Sequence, residues 1–213
     1  KPGAGSSLGA AYVAKAKPDG YTLLSDSSAF ATFPALYKDL NFDPVKDLIP
    51  LTQMSSLVSV LMVPPGSPIK SFTEYLAFTK ANPGKLNYGT SGTGDISHLS
   101  AMWMHSLAGS TVTFVPFKGT GPVLVELMAG RVDVTSGTLI AALPLVRSGK
   151  VRPLAMLGDK RSKHMPDVPT VTETLPGFQK LGGGLGFYGP AGLPRPIVQR
   201  LLEQIAYRMR KLL

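Results

Sequence analysis

The 213-residue sequence contains no cysteine, one tryptophan and three histidines, and only 16% of its residues are charged. Without cysteine there can be no disulfide, no thiol nucleophile and no thiolate metal site. No apolar run approaches the ~20 residues that span a bilayer. The most apolar run, Leu57 to Val63, suits a buried strand instead. The opening residues Lys1-Pro2-Gly3-Ala4-Gly5 lack the apolar segment of a secretion signal. That leaves a cytoplasmic protein, or an exported one that is processed or truncated. Carboxylates are scattered singly, so no acid/base pair stands out. No Gly-x-Ser-x-Gly elbow occurs, and Ser67-Pro68-Ile69-Lys70 matches Ser-x-x-Lys without its companion motifs.

What the chain does have is apolar residues (44%), with 23 Gly and 19 Pro spread along it. Its size suits one large domain or two small ones with a real core. The net charge of +9 raises a nucleic-acid reading. The densest basic group, Arg147, Lys150, Arg152, Lys160, Arg161 and Lys163, has no interleaved aromatics to stack bases. A solvated basic face is expected, and no nucleic-acid partner.

The pattern alternates between short strands and amphipathic helices. Helices are expected over Ser6–Lys17, Pro34–Leu40, Phe72–Ala81, Asp95–Ala108, Pro122–Ala129, Leu139–Ser148 and Pro196–Leu213. Strands are expected over Tyr21–Leu24, Leu48–Met54, Val58–Val63, Lys85–Tyr88, Val112–Phe117, Val132–Thr135, Val151–Leu157 and Leu185–Tyr188. Strand-helix-strand repetition predicts an α/β fold, its sheet mostly parallel with helices on both faces. Two breakers, Pro64-Pro65-Gly66-Ser67-Pro68 and Gly189 to Pro194, divide the chain into lobes. The first lobe is 1–63 with 186–213, and the second is 64–185.

The stretch Tyr88-Gly89-Thr90-Ser91-Gly92-Thr93-Gly94-Asp95-Ile96-Ser97-His98, in the second lobe, reads as the centre of the protein. Glycines let the backbone turn tightly, and the helix that follows starts with amides lacking intrahelical partners. Asp95 or Thr93 is the cap, and Gly109 the stop. Ile96, Leu99, Met102, Trp103 and Leu107 recur at the spacing of one buried stripe. Such a loop suits a carboxylate or phosphate, though a ligand-free turn has the same signature. It lacks the lysine of a P-loop, and no acidic residue follows at dinucleotide spacing.

His98 and His105 lie ~10 Å apart along that helix at 1.5 Å rise per residue, so one metal cannot bridge them. No metal and no cofactor are expected. Asp95 and His98 at i, i+3 can touch, which leaves a general-base reading open. Polar loops end several strands: Ser25 to Ser28, Thr90 to Asp95, Phe117 to Gly121, and Ser136 to Thr138. Many donors without a reactive group point to recognition without chemistry.

Read in order, a series of segments resembles the tripartite tricarboxylate transport, or Bug-type, family of extracytoplasmic solute receptors. They are Pro2-Gly3-Ala4-Gly5, Pro18 to Leu24, Leu36-Tyr37 with Asp43-Pro44, and Lys80 to Gly89. Ser91 to Gly94, His98-Leu99, Val115 to Gly119, Gly130 to Asp133 and Gly149 to Arg152 follow. Arg161-Ser162, Pro166 to Thr170 and Pro190 to Gly192 close the series. The resemblance implies a two-lobed periplasmic binding-protein fold (type II) that closes on a small carboxylate. It implies a monomer in the periplasm that delivers solute to membrane transporter subunits. Carried onto this chain, Thr90, Ser91, Gly92, Thr93, Gly94 and Asp95 bind the carboxylate. His98, Lys118, Gly137 and Thr138 complete that side, and Ser27 and Ser28 belong to the first lobe's loop.

The chain departs from the family in three ways. It lacks the family's first strand, ligand loop and helix and its last segment, so it reads as truncated. Asp95 puts a negative charge where small neutral residues are usual, which would repel a bare carboxylate, favour an amine-bearing one, or merely cap the helix. An aromatic usual near Gly183 and Gly184 is absent. Two other readings stay open: an enzyme on the same scaffold that uses His98 with Asp95, and a truncated form that no longer binds.

Overall fold

The computed structural model describes residues 6–27, 32–36, 38–56, 58–181 and 184–210. In chain order the elements are α1 (Ser7–Ala14), β1 (Leu24–Ser27), α2 (Phe33–Leu36), β2 (Leu48–Ser56) and β3 (Ser59–Val63). Then come α3 (Phe72–Ala81), β4 (Asn87–Thr90), α4 (Ile96–Ala108), β5 (Thr113–Pro116) and α5 (Thr120–Met128). β6 (Val134–Thr138), α6 (Leu139–Arg147), β7 (Arg152–Leu157), α7 (Val171–Thr174), β8 (Gly184–Pro190) and α8 (Arg195–Arg210) complete the series. They form two compact units, Lys1–Ser56 with Gly182–Leu213, and Leu57–Leu181.

The first unit is built on a three-stranded sheet of order β1-β8-β2, antiparallel throughout. Ala10 and Val13 of α1 pack with Leu24, Phe33, Phe42 and Leu48 to make its core.

The second unit carries a five-stranded sheet of order β5-β4-β6-β3-β7. β4 runs parallel to β5 and β6, whereas β3 runs antiparallel to β6 and β7. The expectation of mostly parallel sheets is therefore corrected: the first sheet is antiparallel and the second is mixed. In the second sheet β3 is the cause, since it runs against both of its partners.

Its sequence explains its place. An unbroken apolar run suits a strand covered on both faces. Leu61 and Val63 join the core under α3 and α4, and Val60 and Met62 join the core on the opposite face. β3 thus belongs to the second unit. So does the proline-rich breaker after it, whose carbonyls at Pro65 and Ser67, with that of the following Ile69, accept hydrogen bonds from the Arg152 guanidinium.

α3 follows local rules closely. Ser71 caps it by accepting the Glu74 amide at 3.1 Å, and Phe72, Tyr75, Leu76 and Thr79 form the buried face. α4 corrects the sequence reading. Its buried face is Ser97, Ser100, Ala101, Met104, His105 and Ala108, while Met102, Trp103 and Leu107 are exposed. Small side chains let this helix lie close to the sheet, and close approach outweighs the burial of a larger stripe. His105 enters the core because both ring nitrogens find partners, Tyr75 Oη and Ser110 Oγ, each at 2.8 Å.

Candidate functional site

Because β4, β5 and β6 are parallel, their carboxyl ends lie along one edge of the sheet. From each end a helix departs almost at once: α4 after the 91–95 loop, α5 after Gly119, and α6 directly after Thr138. Three helix N-termini, with their unshared amides and positive dipole ends, gather at that edge. The loops are tied together. Ser91 O accepts the Gly119 amide and Thr90 O the Phe117 amide, each at 2.9 Å. A Cβ on Gly137 would stand 3.5 Å from Thr120 Cγ2, which sets the end of β6 against the start of α5.

The three N-termini are not equivalent. α4 is capped by its own residue: Asp95 Oδ1 accepts the His98 amide at 2.9 Å and the Ser97 hydroxyl at 2.7 Å. Asp95 Oδ2 accepts the Ser91 hydroxyl, and the Ser91 amide donates to Ser97 Oγ at 3.1 Å. α5 and α6, whose N-caps are Gly119 and Thr138, have no side-chain cap. The Leu139 amide of α6 is already taken by Val58 O at 2.8 Å, and Pro122 in the first turn of α5 has no N–H. It is the other first-turn amides of these two helices that face an outside acceptor.

His98 turns its ring back over the loop. Its Nδ1 accepts the Gly94 amide at 3.0 Å, and its ring meets Phe114 edge-on at 4.7 Å between centroids. Asp95 touches the backbone of His98 and not its imidazole, so the pairing that a general base needs does not form.

Beneath the loop, Tyr88, Thr90 and Ser136 are 0%, 1% and 2% exposed. Their hydroxyls have no hydrogen-bond partner among the described residues. Burial raises the Tyr88 hydroxyl pKa well above the usual tyrosine value, and the Asp95 charge adds to the rise. Thr135 Oγ1 donates to Gly89 O at 2.6 Å and locks β6 to β4.

The second unit thus brings together Thr90, Ser91, Gly92, Thr93, Gly94, Asp95 and His98 on one strand-loop-helix passage. Lys118, exposed, precedes Gly119, and Gly137 and Thr138 end the neighbouring strand. Thr93 is exposed at the mouth, while Gly94 is buried. Ser27 ends β1 in the first unit, next to Asp26, whose carboxyl pKa is raised by burial against a lowering hydrogen bond from the Ser27 amide. Ser28 lies outside the described residues.

Sequence reasoning missed Ser97, which joins the two loop ends through Ser91 and Asp95. A serine two residues after a capping aspartate is the signal it offered. It also missed the Tyr88 hydroxyl, which shares a face with Thr90 and Ser136 only because β4 and β6 are neighbours.

Comparison with known proteins bears on this geometry. The family model described as "Tripartite tricarboxylate transporter family receptor" matches residues 1–211. A UPF0065 protein of Cupriavidus necator is 38% identical over 201 residues, covering 94% of this chain and 61% of that protein. The structure of MatC from Rhodopseudomonas palustris with bound malate is 34% identical with a TM-score of 0.88. The alignment covers 97% of this chain and 70% of MatC. An adipate-bound R. palustris structure is 31% identical with a TM-score of 0.85, covering 94% of this chain and 67% of that one. The chain spans about three fifths of the length of the curated relatives it matches, 59% to 61% for three of them.

Proposed function

Since the chain belongs to the tripartite tricarboxylate transporter receptor family, we propose that it is the solute-binding part of a periplasmic receptor. The receptor captures a small organic acid and hands it to membrane transporter subunits, working as a monomer. Two relatives of similar fold are described with malate and with adipate, which supports a carboxylate as the class of ligand.

The observation that carries the proposal is the pair of N-termini without side-chain caps, α5 and α6, at the edge of the sheet where the 91–95 loop also ends. A carboxylate there accepts several oriented amides and faces two dipole ends, without needing a basic partner. Thr90, Ser91, Gly92, Thr93 and Gly94 line one side of this site, with Asp95 as the cap beneath and His98 held against Phe114. Lys118, Gly137 and Thr138 close the other side.

Asp95 takes the acceptor's place on α4, so the incoming carboxylate is directed towards α5 and α6. The acid–base alternative has no comparable support, because Asp95 and the His98 ring do not meet. Isothermal calorimetry of the full-length protein against mono-, di- and tricarboxylates and amino acids tests the proposal. Heat of binding with 1:1 stoichiometry for at least one acid is expected. Silence across the panel from an intact, folded receptor would sink it.

A further inference from the structure

The solvent side of α4 is its apolar side. Met102, Trp103 and Leu107 are 48%, 40% and 36% exposed, and half-buried Leu99 extends the stripe by one turn. None of the 13 residues of α4 is Asp, Glu, Lys or Arg. A helix that faces only water normally carries charges on that side. Tryptophan and methionine are instead over-represented where proteins touch, and a tryptophan at the centre of a patch commonly dominates the affinity.

Size limits what can cover this face. The three side chains expose on the order of 300 Å², against about 800 Å² per partner in a stable interface. A lasting dimer of two copies needs far more surface than this. A small, uncharged patch suits a brief contact that forms and releases. α4 also starts from the 91–95 loop, so a partner on this face grips the same rigid rod that the solute loop opens.

We propose that this face of α4 docks against an uncharged, apolar extracytoplasmic surface of the transporter's membrane subunit. The partner's identity rests on the receptor reading above, whereas the existence of the docking face rests on α4 alone. Met102, Trp103 and Leu107 make the contact, and the first turn of the helix stays free for the solute.

The test uses the full-length receptor and the cognate membrane subunits in proteoliposomes, with no solute needed. Met102→Glu and Leu107→Glu are expected to weaken receptor binding to the vesicles at least tenfold, with melting temperature unchanged. Val125→Glu, at a 54%-exposed position on α5, is the control and should bind as the parent does. A photo-crosslinker in place of Trp103 should capture the membrane subunit. Undiminished vesicle binding by both α4 variants would overturn the proposal, as would an equal loss in Val125→Glu. A crosslink to a second receptor copy, or to the receptor's own chain, would also overturn it. So would a fall in melting temperature with Trp103 shielded from hydroxyl radicals, since the face is then internal. If vesicle binding fails in the α4 variants although no carboxylate binds the receptor, the solute reading falls and the docking face stands. If carboxylates bind and the α4 variants dock normally, the reverse holds.

Discussion

The Asp95 carboxylate receives the backbone amide of His98 at 2.9 Å and leaves its imidazole untouched. That contact makes Asp95 a helix cap that also sets a negative charge beside the proposed carboxylate site. Asparagine caps as well as aspartate, whereas alanine forfeits about 1 kcal/mol. Asp95→Asn should therefore keep urea stability within a few tenths of a kcal/mol of the parent, and Asp95→Ala should fall by about 1 kcal/mol. Removing the charge should also tighten carboxylate binding several-fold in Asp95→Asn, read by calorimetry. Weaker binding in Asp95→Asn would mean that the carboxylate of Asp95 itself contacts the solute through a donor such as an amine.

The buried relay of Tyr75, His105 and Ser110 makes stability depend on pH. Burial lowers the His105 pKa from 6.5 to about 4. The unfolded chain then takes up a proton that the folded one refuses, as pH falls from 6.5 towards 4. Stability is complete above pH 6.5, declines through this window, and is lower by about 3 kcal/mol at its bottom. Glu173, held down to about 2 chiefly by the Arg161 guanidinium, acts only below about pH 4.5. Urea titrations between pH 7 and 4 should show the decline in the parent. His105→Phe should start lower, because Tyr75 loses its partner, and run flatter across the same window.

How far the sequence announces this structure depends on which force decides each element. β3 is legible because a continuous apolar run admits one environment, burial on both faces. α3 is legible because Ser71, Glu74 and the Asn82-Pro83-Gly84 stop act locally. The 91–95 loop is legible because only a glycine-rich passage can turn that tightly. Register is less so: β4 begins two residues beyond the expected Lys85, since pairing with β5 decides its limits. α4 misled, because its large side chains form the most apolar stripe while Ala101 and Ala108 permit the closest packing. Within the site, Asp95 and His98 are neighbours as expected, but chain direction at a helix start aims the carboxylate at amides. The buried hydroxyls of Tyr88 and Ser136 lie on different strands, and no local pattern joins them.

Gly89 stands where β4 passes under α5. A Cβ there would overlap Val123 Cγ2 and sit 3.0 Å from Val132 Cγ1, both in the packed interior. Gly89→Ala should cost about 1–3 kcal/mol by forcing those valines aside. Since Val123 is in the first turns of α5, the substitution should also displace its N-terminus and weaken carboxylate binding. Urea unfolding and calorimetry on the same preparation check both effects. A variant as stable as the parent would show that the helix can yield freely.

Arg152 decides whether the proline-rich breaker bends. Its Nη1 donates to Ser67 O at 2.9 Å and to Ile69 O at 3.3 Å, and its Nη2 donates to Pro65 O at 2.9 Å. One planar guanidinium thus ties two carbonyls of the breaker, and that of Ile69 just after it, to β7, a geometry that a lysine ammonium cannot reproduce. Arg152→Ala should lose about 2 kcal/mol of stability in urea, and Arg152→Lys should recover less than half of it. Limited proteolysis should show faster cutting between residues 64 and 70 in both variants. Solute affinity is the discriminating readout. The breaker lies wholly inside the second unit, which begins at Leu57, so freeing it should leave carboxylate affinity within twofold of the parent. A larger change in affinity would show that the breaker acts on the solute site from within the second unit.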